Sequence, residues 1–298
     1  MSQNHAREHL EPKFCATKIK LGSSAISDLR EFLGLDDDFE YVKLRKYPLV
    51  SMQVEWEQHG DANDRANFRY ILHGAACVWH DIPQHVKETI EKGEYHGGVL
   101  APDDYDKGHQ GMHLEDFVQH RVSKTANLKD FHVAALRMYT SCSYRKFNSF
   151  LRSQTTPHPF RMNVLILDEA LRKLRKVEAM RDQQSYASTK ILYRGMSDVE
   201  MDLEDFKRVG GNELALMSTT ADPKIALSYA SRGQVGILFR YSTIGQTRGV
   251  SIDFLSLYPK EVEFLFPPLT NLTYDVAQEG EETSRNGLVV IPVRPTWS

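Results

Sequence analysis

No apolar run in this chain approaches the length needed to span a bilayer, and its opening, MSQNHAREHLEPKFCATKIK, contains none that could serve as a signal peptide. Both absences point to a cytoplasmic protein with no membrane partner. Cysteine is scarce: Cys15, Cys77 and Cys142 are odd in number and far apart, which fits a reducing compartment better than a disulfide framework. An excess of one charge is missing too. With 37 Lys and Arg against 40 Asp and Glu, the formal charge of -3 argues against nucleic acid as a partner, local patches aside.

The common chemical signatures are also lacking. No GxGxxG, GxxxxGK[ST], HExxH or GxSxG occurs, which removes the most frequent dinucleotide, phosphate, zinc-protease and serine-hydrolase assignments. Among the twelve histidines, His80, His85, His96, His109 and His113 show no ligand spacing, so no metal is expected. There are no internal repeats and no low-complexity tract.

What remains is a chain of 298 residues, 41% hydrophobic, enough to bury a core in one large or two ordinary domains. In the first 111 residues, SMQVEWEQ alternates Met52, Val54 and Trp56 against Ser51, Gln53 and Glu55, which predicts a half-buried strand with a helix after it. The segment EYHGGVLAPDDYDKGHQG reads as a long loop or a boundary. From Met112 the spacing turns helical, with LEDFVQHRV, an N-cap candidate at Asn127 and then VLILDEALRKLRKVEAM, whose Leu165, Leu167, Leu171 and Leu174 gather on one side. Strand-like pieces follow: ILYRG, ELALMSTT, VGILFRY, PKEVEFLFPP, LTYDVAQ and GLVVIPV. Helices first and strands later imply an α+β fold.

Three of these pieces carry polar groups where a strand would ordinarily be bland. In ILYRG, a period of two sets Arg194 with Leu192 on an apolar face, where it needs an anion; a phosphate or a core carboxylate would each serve. Gly195 after it lets a ligand approach the backbone. Ser218 and Thr219 in MSTT can orient a carboxylate or cap the turn that follows. In PKEVEFLFPP, alternation puts Glu261, Glu263 and Leu265 on one face against Val262, Phe264 and Phe266. Two carboxylates on one strand face suit a cleft wall visited by cations, or a solvent-facing edge.

Arg, then Ser-Thr, then Glu-x-Glu, in that order on three strands, resembles the arginine-specific mono-ADP-ribosyltransferases. The similarity extends to Tyr139-Thr140, Tyr144, Asn148 and Leu151-Arg152 in VAALRMYTSCSYRKFNSFLR, and covers residues 112–298; residues 1–111 match nothing nameable and form a region of unknown role. The resemblance implies two packed, twisted β-sheets flanked by helices, binding NAD as co-substrate without a metal. It further implies that Arg194 binds the phosphates or adjoining ribose of NAD and that Gly195 offers backbone contacts to nicotinamide. Ser218, helped by Thr219, would position Glu263, the residue similar to the family's catalytic glutamate. Glu261 would meet the guanidinium of an arginine-bearing target protein, with Phe254 or Tyr258 available to pack on that target. Tyr229 has two roles open to it, stacking on nicotinamide or packing its helix. An NAD glycohydrolase using the same site, or a non-catalytic binding protein that keeps the fold, are the competing functions.

Overall fold

The computed structural model describes residues 28–35, 37–73, 106–109, 112–181, 188–197, 203–231, 236–278 and 288–297. Cys15, Cys77, His80, His85, His96 and most of EYHGGVLAPDDYDKGHQG lie outside the described residues. Helices α1 (Leu29–Phe32), α2 (Asp38–Lys46), α3 (Pro48–His59) and α4 (Ala62–His73) come first. They are followed by α5 (Leu114–Gln119), α6 (Arg121–Thr125), α7 (Asp130–Thr140), α8 (Tyr144–Arg152) and α9 (Arg161–Arg181). Among the described residues no helix is long and apolar enough to cross a membrane.

α9 is the axis of the helical half, because its 3.6-residue spacing buries Val164, Leu167, Leu171, Leu174 and Val177 along one stripe. Its N-terminus would present unpaired N–H groups to an apolar core. Glu55 resolves this: its carboxylate accepts from the backbone of Met162 at 2.7 Å and of Asn163 at 3.1 Å, and from Asn163 Nδ2 at 2.7 Å. Burial pushes Glu55 up to about 7 while those three donors hold it down. Because α3 supplies Glu55 and Trp56, whose Nε1 donates to Asn163 Oδ1 at 3.0 Å, the early helices join the same apolar cluster as α7 and α9.

The strands are β1 (Thr189–Ser197), β2 (Gly211–Glu213), β3 (Met217–Thr220), β4 (Gly236–Ile244), β5 (Val250–Ser251), β6 (Glu263–Phe266), β7 (Thr270–Tyr274) and β8 (Leu288–Thr296). α10 (Leu203–Val209) precedes β2, and α11 (Pro223–Ala230) precedes β4. Hydrogen bonding runs in the order β2-β7-β8-β4-β1-β3-β6-β5. One register pair, Tyr193 with Thr220, makes up the backbone pairing of β1 with β3, whereas β1 and β4 pair along their whole length. At that thin link the sheet folds over. Tyr241 of β4 stacks on Phe266 of β6 with ring centroids 6.1 Å apart, although two strands separate them in the hydrogen-bonded order. The result is one continuous eight-stranded sheet whose two parts pack face to face, in the manner of the two packed sheets that the resemblance implies. Leu192, Met217, Phe239, Phe264, Phe266 and Val293 fill the space between them.

Alternation then decides where polar groups of the three-strand part go. Met217, Thr219, Phe264 and Phe266 share one face, and three of them fill the inter-sheet core. Ser218, Thr220, Glu263 and Leu265 therefore share the other, and Leu265 packs into the helical cluster. Glu263 is thus turned toward α7.

Five local expectations are corrected. SMQVEWEQ lies within α3: Met52 and Trp56 are four apart and both buried, satisfying the helical period as well as the strand one, while Val54 is exposed and Pro48 opens the helix. Asn127 does not cap α7, whose N-cap is Lys129; it takes a left-handed φ of 51°, a conformation asparagine tolerates. ELALMSTT is divided into β2 and β3 by a bend, and LTYDVAQ ends as a strand at Tyr274 before a 3₁₀ turn over Val276–Gln278. Lastly, Glu261 is not on a strand. Pro259–Glu261 form a 3₁₀ turn and Val262 is left-handed at φ 47°, ψ 53°, so β6 begins at Glu263.

Candidate active site

Glu263 is 5% exposed, and its carboxyl accepts a hydrogen bond from the Ser218 side chain. Burial raises its pKa to about 7, against the opposing pull of Ser218 and of the Arg194 charge. Tyr139 of α7 is buried within reach of the Glu263 charge; burial first, and that charge second, push its hydroxyl well above the usual phenol range. So the carboxyl sits in a dry niche that disfavours its charge, with one hydroxyl and one guanidinium pulling the other way. Such a group gains most where positive charge develops beside it.

Arg194 shares the buried face of β1 with Leu192 and Met196. Its Nη1 donates to the Ser218 carbonyl at 3.2 Å, and its Nη2 lies 3.9 Å from Glu213. Of the two anions open to this arginine, the fold supplies the core carboxylate, Glu213, beside it. Glu213 is shared: Arg152 of α8 grips it through Nε and Nη2, both at 3.1 Å, and the Ala215 N–H donates to it at 3.1 Å.

The helices that resemble the family segment turn out to be a clamp on β3. Tyr139 Oη and Asn148 Nδ2 both donate to the Leu216 carbonyl, at 3.3 and 3.2 Å, immediately before the strand that carries Ser218. Thr140 Oγ1 accepts from the Leu257 N–H at 3.1 Å, tying α7 to the loop before Glu261. Thr219 reaches away from Glu263: its hydroxyl donates to the Phe264 carbonyl at 2.8 Å, locking β3 to β6 through the backbone. Its neighbour Thr220 donates to the Glu261 carbonyl at 2.7 Å.

Gly195 is set against α11 rather than an open space. A Cβ there would lie 1.7 Å from the Ala226 carbonyl oxygen and 2.8 Å from the Ala230 nitrogen. Gly195→Ala should push α11 off the sheet and cost about 2 kcal/mol or more, typical of an overpacked core. Thermal unfolding measures it, and a variant that melts with the parent would show that α11 can retreat freely.

Glu261 stands half-exposed at the rim, where Tyr229 Oη donates to its Oε1 at 2.9 Å. Tyr258 packs into the helical cluster and Phe254 stacks on His120 with centroids 4.8 Å apart, so of the two aromatics only Phe254 lies at the surface of that loop. Beneath it, Asp106 accepts two bonds from Arg137, at 2.8 and 3.3 Å, and one from Tyr70 at 2.8 Å, while His109 sits 2.9 Å away. These partners hold Asp106 at about 2 although burial alone would raise it. Arg137 also donates to the Leu255 carbonyl at 2.9 Å, and the Asp106 N–H to that of Leu257 at 2.6 Å. Neither Asp106 nor Glu213 belongs to a recognised motif in the sequence. The available signal for Glu213 was a carboxylate at the head of an otherwise apolar strand piece.

Residues 57–289 match the family model described as NAD:arginine ADP-ribosyltransferase. That span contains Arg194, Ser218 and Glu263 with the clamp around them, and defines the class: a transferase that uses NAD as its ADP-ribose donor. The chain belongs to the NAD:arginine ADP-ribosyltransferase family. Similar solved structures include the ADP-ribosyltransferase HopU1 of Pseudomonas syringae, at 18% identity over 78% of this chain and 97% of that one, with a TM-score of 0.49. The eukaryotic mono-ADP-ribosyltransferase ART2.2 is 18% identical over 86% of this chain and 87% of its own, TM-score 0.47. The Vis toxin of Vibrio splendidus is 20% identical over 62% and 83%, TM-score 0.46. No curated protein sequence matches the chain.

Proposed function

We propose that this protein transfers ADP-ribose from NAD to arginine side chains of target proteins, releasing nicotinamide. The observation that carries it is the contrast between two carboxylates two residues apart. Glu263 is buried with Ser218 and Arg194, while Glu261 is turned out to the rim by the left-handed Val262. One faces the donor and the other the solvent from which an acceptor comes.

In this assignment Arg194 binds the NAD phosphates or adjoining ribose, and the backbone at Gly195 contacts the nicotinamide amide. Ser218 orients Glu263, and Thr219 fixes the strand pair beneath it. The bond from the ribose carbon to the nicotinamide nitrogen breaks, its electron pair leaving with nicotinamide, and Glu263 stabilises the cationic sugar that forms. A guanidinium nitrogen then bonds to that carbon. Arginine is permanently charged and a poor nucleophile, so Glu261 polarises it and the released proton passes to that carboxylate or to solvent. Residues 112–298 carry the chemistry, and the region before them braces it through Asp106 and Glu55.

Glu261→Gln tests the acceptor half. With NAD and agmatine, we expect ADP-ribosylagmatine to fall about a hundredfold or more while part of the nicotinamide release persists, since that is what removing a general base costs. A Gln variant that modifies agmatine as well as the parent would remove arginine from the proposal. Nicotinamide without agmatine product in the parent itself would favour a glycohydrolase, because the donor half is common to both.

A further inference from the structure

Three of the contacts of Glu261 bear on how it is held before any acceptor arrives. Its N–H donates to the Tyr258 carbonyl at 3.0 Å, its carbonyl accepts from Thr220 at 2.7 Å, and its carboxylate accepts from Tyr229 Oη at 2.9 Å. The first two fix the backbone of the turn. The third bears on the direction of the side chain, and it comes from α11, the helix whose Ala226 carbonyl lies against Gly195 on β1. Tyr229 thus links a helix seated on the donor strand to the acceptor-side carboxylate.

A half-exposed glutamate on a short turn samples several rotamers, and each one that points away from the cleft leaves the sugar cation to water. We infer that the Tyr229 hydroxyl is a positioning group that holds the Glu261 carboxylate toward an incoming guanidinium, and that it sets the partition between transfer to arginine and hydrolysis of NAD. This rests on the acceptor role proposed for Glu261. Tyr229 touches neither the broken nor the formed bond in this scheme. A charge-assisted hydrogen bond at 2.9 Å between a phenol and a carboxylate is strong enough to bias such rotamers.

The test is the ratio of ADP-ribosylagmatine to released nicotinamide, measured against agmatine concentration for the parent, Tyr229→Phe, Glu261→Gln and the double variant. Phenylalanine keeps the ring and its packing and removes only the hydroxyl, and thermal unfolding verifies that the fold persists. We expect the ratio to fall about tenfold in Tyr229→Phe, with a raised KM for agmatine and a KM for NAD within about twofold of the parent; tenfold is the effect of one hydrogen bond to a charged group. In the Glu261→Gln background, Tyr229→Phe should add nothing. Product and nicotinamide falling together, an unchanged ratio, or an additive loss in the double variant would each overturn the role of Tyr229. The two proposals fail separately: if Glu261→Gln leaves the ratio untouched, arginine transfer through Glu261 falls, whereas a low ratio in Glu261→Gln beside a normal one in Tyr229→Phe removes Tyr229 alone.

Discussion

Glu263→Gln should reduce nicotinamide release by about a thousandfold, with or without an acceptor, since removing one preorganised group aimed at developing charge costs roughly that much. Glutamine preserves the shape and the contact with Ser218 but cannot offset positive charge on the sugar. The pH profile should report the same carboxylate. Its pKa near 7 makes the ionised form grow in as pH rises through neutrality, so turnover should climb across that window and level above it.

Stability should run the opposite way, and the sign follows from the burial. The folded-state pKa of about 7 lies above the ordinary 4.5, so the fold favours the protonated acid. The stability this contributes is fully present below about 4.5 and is lost as pH rises through 7. At pH 8, Glu263→Gln should therefore be more stable than the parent, by up to ~3 kcal/mol, with the gap closing towards pH 4.5. Urea unfolding at the two pH values measures it. Equal stability at both would mean that ionising Glu263 costs the fold nothing, and the conflict inferred between burial and catalysis would disappear.

Glu213→Ala should be the most damaging change to the fold outside the apolar core. It removes a carboxylate gripped by Arg152 at 3.1 Å through two nitrogens and lying 3.9 Å from Arg194. Both guanidinium groups are less than a tenth exposed, so the charge left behind has little access to water. Breaking a buried pair by deleting one member typically costs about 3–5 kcal/mol, mostly the desolvated charge that remains. The Ala215 N–H loses its acceptor as well, at the bend between β2 and β3. Chemical unfolding gives the stability, and a fluorescence titration of the folded variant should show weaker NAD binding as Arg194 relaxes from the Ser218 carbonyl. A loss under about 1 kcal/mol would indicate that water or another carboxylate replaces Glu213.

The strand placement of Arg194, Ser218 and Glu263 was legible because it depends on strand period and on single side-chain chemistries. Leu192, Arg194 and Met196 do share a buried face, as alternation in ILYRG requires. Alternation also misled. Met52 and Trp56 fit either period, and the tertiary core chose the helix because Glu55 between them caps α9. In PKEVEFLFPP the same rule placed Glu261 beside Glu263. The backbone instead breaks at Val262, whose left-handed conformation is costly for a β-branched residue and is held by the Thr220 bond to the Glu261 carbonyl.

By itself the sequence determined the α+β order of elements, the family, and the placement of Arg194, Ser218 and Glu263 on strand pieces, since each depends on residue type and on spacing within a few positions. Tertiary structure alone decided which of those groups is dry, and hence the raised pKa of Glu263. It alone brought Tyr229 to Glu261 across 32 positions and Arg152 to Glu213 across 61. The physical reason is range: propensity and period act along the chain, whereas desolvation and charge pairing depend on which distant surfaces the fold presses together.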